Sequence, residues 1–208
     1  MASVSSSAPS TPIDAKDADR VTRVHLRADA ARNITQIRAA AIDAFRGRGL
    51  STPLEAIATA AGVSKATIYN RFGGREGLIE AVIGELVAAE MYAIMDKARR
   101  VDDPWAAIAT YISDRRDLQY REPAFTDALL MTYPNSAQLV ALANAATEMT
   151  EGLLQRGCDA GVLRKDFNAS DLYYADVANG LALRALHARS REDYDRRTRF
   201  FIDSLRLR

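Results

Sequence analysis

The sequence predicts an all-α protein of about nine helices. Three observations carry this. Apolar residues recur at spacings of three and four from about residue 28 onward. Helix-opening residues (Ser, Asp, Pro) and helix-ending glycines punctuate those stretches. No alternating β-branched run is bounded by a hairpin dipeptide.

Residues 1–19 are polar and poor in bulky side chains, which reads as a disordered tail. Ile34, Ile37, Ala41, Ala44 and Phe45 then mark one helical face, with Gly47 and Gly49 as stops. Thr52-Pro53-Leu54-Glu55 has the pattern of a capping box with proline at the first helical position. The helix it opens is short, because Gly62 follows Ala61. Ser64 caps a third helix that Gly73-Gly74 end. A longer stretch runs from about Arg75 to Arg99, with Leu78, Val82, Leu86 and Ile94 near one face. Asp103-Pro104, Pro123 and Asn135 open the next three helices, the last finishing at Gly161, and Ser170 and Ser190 look like caps for the final two. The expected division is a tail (1–24), a helix-turn-helix unit (25–74) and a larger helical domain (75–208).

With 208 residues, 48% of them hydrophobic, the chain can build a sizeable core. No apolar run reaches the roughly 20 residues of a membrane span. The tail lacks a signal-peptide core, so a cytoplasmic location is expected. Cys158 is the single cysteine, leaving no intramolecular disulfide or thiolate metal cluster. His25 and His187 are isolated from any ligand-like pattern, so no metal and no cofactor are expected. No nucleophile elbow, P-loop or dinucleotide fingerprint is present, which argues against an enzyme and against catalytic residues. The net charge is only +1, yet residues 20–77 hold ten cations against four anions. That imbalance suggests a polyanion partner, against the plainer reading of a solvated surface. Arg20, Arg23 and Arg27 could form a flexible arm reaching the minor groove, or simply a solvated tail.

The segment from Leu54 to Arg75 carries the function. Two short helices flank Ala61-Gly62-Val63, a turn that calls for a residue tolerating positive φ. Ala58 and Ala61 are small where the helices would cross, and Ile57, Val63 and Ile68 supply apolar contacts. Lys65, Ala66, Thr67, Tyr69, Asn70 and Arg71 remain for the outer side. A recognition helix needs this division, one side fixed to the scaffold and the other offered to a major groove.

The run from Ile57 to Phe72, with Arg75-Glu76-Gly77-Leu78 and the preceding Ala39-Ala40 and Phe45, resembles the signature of TetR/AcrR-type regulators. The resemblance covers roughly residues 30–80. It implies that Thr67 and Tyr69 meet phosphates or thymine methyl groups, and that Lys65 and Ala66 lie near base edges. Arg75 would hold a phosphate where it opens the fourth helix, aided by the helix N-terminus. Ala66, Arg71 and Gly73-Gly74 depart from the usual residues, and Arg71 could bind guanine or a phosphate. The resemblance also implies a cavity for an unknown small-molecule effector, for which Met91, Trp105, Tyr111, Phe125, Met131 and Tyr133 are candidates; ordinary core is the competing reading.

Leu172, Tyr173, Val177, Leu181, Leu183 and Leu186 are apolar on more than one side of their helix. With the stripe Tyr194, Thr198, Phe201 and Leu205 they suggest a homodimer interface, against a large monomeric core. The expected function is a ligand-responsive regulator, a repressor released from a palindromic double-stranded operator by its effector, with no membrane partner. The alternative is a helical small-molecule-binding protein whose DNA binding is vestigial.

Overall fold

The computed structural model describes residues 15–130, 135–185 and 190–207, with side chains from Asp29 onward. Nine helices are found among the described residues: α1 (Ala15–Arg48), α2 (Leu54–Ala60), α3 (Lys65–Phe72), α4 (residues 75–99), α5 (Pro104–Arg121), α6 (Pro123–Leu130), α7 (Ala137–Asp159), α8 (Ala169–Ala185) and α9 (Arg191–Ser204). No strand occurs among these residues. One isolated antiparallel bridge joins Leu163 to Arg206.

Helix α1 starts at Ala15, inside the segment expected to be tail. No glycine or proline interrupts the chain from there to Arg46, so nothing in the backbone stops the helix earlier. Arg20, Arg23 and Arg27 therefore lie on helical backbone and not on an irregular arm. Gly47 is helical, and the stop is Gly49, at φ +81. The capping box before α2 does not form. Pro53 itself is the N-cap without a side-chain bond, while buried Thr52 donates its hydroxyl to the Gly49 carbonyl at 2.8 Å. Asn168, not Ser170, caps α8, its Oδ1 accepting from the amides of Ser170 and Asp171. Asp171 returns a bond from the Asn168 amide, a reciprocal capping pair. Ser64, Asp103, Ser136 and Ser190 each accept from an amide three residues on.

Helix α4 is a single rod with a π turn at Gly84–Ala88. Leu86, Val87 and Ala88 are consecutively buried there, which a regular α-helix with one inward face cannot achieve. The wider turn serves the core on both sides. Ile37, Ala41 and Phe45 of α1 join Leu78, Ile79 and Val82 of α4 in one apolar core that continues into α5 and α7. The N-terminal three helices and the larger domain are thus packed together, not strung on a linker.

Candidate nucleic-acid interface and effector cavity

The turn between α2 and α3 forms as its residues dictate. Gly62 sits at φ +66, and the Val63 amide closes the turn on the Ala58 carbonyl at 3.0 Å. Ile57 and Ile68 are fully buried between the helices. On α3 only Ile68 is buried; Lys65, Ala66, Tyr69, Asn70 and Arg71 are exposed and Thr67 is half-buried. The Ser64 hydroxyl accepts from the Thr67 amide at 3.1 Å and lies 2.9 Å from the Thr67 hydroxyl. Thr67 is therefore held in part by the helix cap.

Tyr69, 51% exposed, lies against Gly74, just beyond the end of α3. A Cβ on Gly74 would stand 2.9 Å from the Tyr69 ring, and Gly74 has φ +106. The departure at Gly73-Gly74 thus has two physical reasons: at Gly74 the tyrosine occupies the space a side chain would need, and Gly73, in open space, ends the helix at φ +74. Gly77 is as constrained, since a Cβ there would meet the Phe72 carbonyl at 1.7 Å.

Two cations are less free than the sequence suggests. Lys65 is ion-paired with Glu55 on α2, which holds the Glu55 carboxyl below and the Lys65 ammonium above their ordinary pKa ranges, in each case through their mutual hydrogen bond. Arg75 is half-buried, and its Nη1 donates to the Leu50 carbonyl at 2.7 Å. Arg75 thus also anchors α4 to the turn after α1, through one of its guanidinium nitrogens. Arg32, Arg38 and Arg46 pair with Asp29, Glu85 and Glu122, so part of the basic excess is spent internally.

The turn after α1 is also gripped from the other domain. The Leu50 amide donates to Asp127 Oδ2 on α6 at 2.6 Å, and Asp127 in turn pairs with Arg184 of α8. Asp127 is buried, so its charge rests on these partners. A Cβ at Gly49 would collide with the Asp127 carboxylate, which fixes glycine there on two counts.

Behind α6 lie two adjoining cavities. The inner one, about 70 Å³, is bounded by Val87 and Met91 of α4, Phe125 of α6 and Leu142 of α7. The outer one, about 500 Å³, includes Thr147 and Thr150 of α7 and Tyr173 of α8. Arg115, Ala128, Leu129, Ala143 and Ala146 belong to both walls. Of the expected lining, Met91 and Phe125 are there. Tyr111 is buried behind the wall, its hydroxyl 3.3 Å from that of Thr150. Trp105 is not at the cavity: it lies under the Arg206 guanidinium, 5.2 Å from its ring centre, where the C-terminus returns. Met131 and Tyr133 fall outside the described residues. Arg115 was not foreseen, since an arginine beside another on a charged helix carries no signal of burial.

The expected interface stripe is corrected. Tyr194 is 1% exposed; its hydroxyl donates to the Arg116 carbonyl at 2.8 Å and accepts from Asn179 at 2.7 Å. Burial carries its pKa up to about 12. Thr198, Leu205 and Leu172 are likewise buried, and Phe201 packs half-buried against Phe167 and under Arg116. Tyr194, Thr198, Leu205 and Leu172 therefore belong to the chain's own core and have no surface to give a partner, whereas Phe201 keeps part of its own. Of the expected interface residues Leu181 is exposed, at 50%, and α8 and α9 also expose Tyr174 at 67% and Phe200 at 62%. Val177 is half-buried, and Leu186 and His187 fall outside the described residues.

Residues 37–82 match the family model of bacterial regulatory proteins of the tetR family. The transcriptional regulatory protein RaaS of Mycobacterium tuberculosis is 29% identical over 129 residues, 62% of this chain and 58% of RaaS. The chain thus spans less than two-thirds of that relative. The crystal structure of the TetR-family regulator PfmR from Thermus thermophilus is similar with a TM-score of 0.57 and 23% identity, over 80% of this chain and 94% of PfmR. That of FadR from Bacillus subtilis, in complex with stearoyl-CoA, is similar with a TM-score of 0.61 and 14% identity, over 82% and 96%. Among the described residues no helix is long and apolar enough to cross a membrane. Residues 37–82 thus carry the helix-turn-helix of the tetR family of bacterial regulatory proteins, and the fold around them is similar to that of tetR-family regulators.

Proposed function

We propose that the protein is a ligand-responsive transcriptional regulator, a repressor that leaves its operator when a small molecule enters the cavities behind α6. The observation that carries this is the exposed face of α3: a capped, rigidly seated helix offering Lys65, Ala66, Tyr69, Asn70 and Arg71 to solvent. Arg71 and Asn70 have the donors and acceptors to read base edges, and Thr67 and Tyr69 can hold phosphates. One such helix makes few base contacts. We therefore read the exposed Tyr174, Leu181 and Phe200 as part of a homodimer surface, which sets two α3 helices on a two-fold site.

Helix α6 is the coupling element in this reading. It gives Phe125, Ala128 and Leu129 to the cavity walls and Asp127 to the Leu50 amide. A ligand that shifts α6 must move the turn after α1, to which Arg75 is also bonded. Such a ligand changes operator binding only by its differential affinity for the two arrangements. The stearoyl-CoA held by FadR supports a cavity of this kind in the larger domain.

A gel shift with the DNA upstream of the protein's own gene tests the reading. Arg71→Ala and Tyr69→Phe are expected to weaken specific binding by about ten-fold or more while circular dichroism and mass stay unchanged. Equal binding by both variants overturns the assignment of α3.

A further inference from the structure

Two guanidiniums and one carboxylate meet where α5 passes α8. Asp176 Oδ2 lies 3.0 Å from Arg115 Nη2, and its Oδ1 lies 3.3 Å from Arg116 Nε. All three side chains are buried. One carboxylate balances one guanidinium, so this cluster keeps a positive charge away from water, an expensive arrangement without a further counter-charge. The two arginines differ in what else they touch. Arg116 is covered by the Phe201 ring, 4.4 Å from its Cζ. Arg115 stacks on Tyr111 at 5.1 Å, is 6% exposed, and has a buried Nε with no acceptor. It is also the one charged residue in the wall of both cavities among the described residues. Glu151 stands on the outer rim, but it is exposed and its charge is screened by water.

The inner chamber beyond Arg115 is apolar on all the sides named above, through Val87, Met91, Phe125, Leu139 and Leu142. A buried cation thus stands in the wall of a space otherwise lined by hydrocarbon. We propose that the effector is an amphipathic anion, its acidic head bonded to Arg115 and its aliphatic chain along the apolar walls that the two cavities share, Ala128, Leu129, Ala143 and Ala146. A charge-assisted bond to a guanidinium deprived of water is stronger than one to a neutral acceptor, which gives the site its selectivity. The inference rests on reading the cavities as the effector site, not on the assignment of α3 to DNA.

Isothermal titration of the full chain with octanoate and with 1-octanol tests it without DNA, so its outcome is separate from that of the operator experiment. Octanoate is expected to bind about ten-fold tighter than the alcohol, the factor that a charged hydrogen-bond partner supplies. Arg115→Met, which leaves Asp176 its bond to Arg116, is expected to bring octanoate down to the level of octanol and leave octanol unchanged. Arg115→Gln keeps a donor for Asp176 but carries no charge, and should also lose the preference; it serves if the methionine variant does not fold. Equal binding of both compounds to the unaltered protein overturns the anion while keeping the cavity. Binding of neither overturns the cavity as a ligand site. A preference that survives in a folded variant places the head group elsewhere.

Discussion

Helices α3 and α8 divide their residues in opposite senses. Helix α3 buries Ile68 and turns its polar and charged residues outward. Helix α8 buries Asp176, Asn179 and Gly180 with Leu172, and turns Tyr174 and Leu181 outward. Each inward face is shaped by what it meets. Opposite α3 is an apolar helix pair, whereas opposite α8 stand Arg115, Arg116 and Gln119 of α5, which need acceptors. Gly180 lets Thr126 and Gln119 approach so closely that a Cβ would lie 2.6 Å from Thr126 Cγ2. The difference teaches what each outer face is fit for: a hydrated polyanion at α3, and another apolar surface at α8.

The strongest way to break the comparison is Leu181→Asp. The new charge is solvated in a single chain but desolvated in a dimer formed through this face. Operator affinity is expected to fall about 100-fold or more, with sedimentation showing a folded monomer. A dimer of unaltered strength would put the assembly surface elsewhere. Phe201→Asp should instead unfold the chain, because Phe201 lies against Arg116 and Phe167.

Tyr194→Phe tests the buried polar side. It strips a hydroxyl bonded to both Asn179 and the Arg116 carbonyl, and should cost about 1–2 kcal/mol in urea denaturation. Dimer dissociation should not change. A shift in dimer affinity without a loss of stability would return Tyr194 to the interface.

At α3 the expected effect is smaller and of opposite sign. Glu55→Gln releases Lys65 from its ion pair, and operator affinity at low salt should rise about three-fold, with the salt slope steepened by about one. No change would mean that Lys65 does not meet the phosphate backbone.

The smallest effect belongs to the seam between the domains. Burial holds the Glu122 carboxyl above its ordinary range although Arg46 lies 3.7 Å away, and its Oε2 has no partner. The folded chain therefore binds this proton more tightly than the unfolded one. The resulting stability is fully present below the unfolded carboxylate pKa and is lost as pH rises through the folded value. Glu122→Gln should raise Tm by roughly 2 °C at pH 7 and leave it unchanged near pH 4. An equal gain at both pH values would locate the effect in packing rather than charge.

The helix-turn-helix was legible because its constraints are local. Gly62, Ser64, Ile57 and Ile68 act within one turn or one helix crossing, so spacing alone reveals them. The larger domain was legible in helix count and caps but not in orientation. Tyr194, Thr198 and Leu205 form an apolar stripe whether they face their own core or a partner, and only the position of α5 decides. Asp176 and Arg115 carry no local mark of burial, because each has its partner on a distant helix. Thr52 illustrates the same limit at short range, since a capping pattern also suits a hydroxyl that turns back to Gly49.

The placement of Trp105 has an optical consequence. It is the chain's only tryptophan, and it is half-buried under Arg206. The strand-like return of the C-terminus holds Arg206 there through the Arg164 amide to the Leu205 carbonyl and the Leu207 amide to the Val162 carbonyl, each at 3.0 Å. The protein's intrinsic emission is therefore a gauge of whether its last residues are docked. Undocking them by truncation before Leu205 should redden that emission, whereas filling the chamber beside Phe125 should leave its wavelength nearly still.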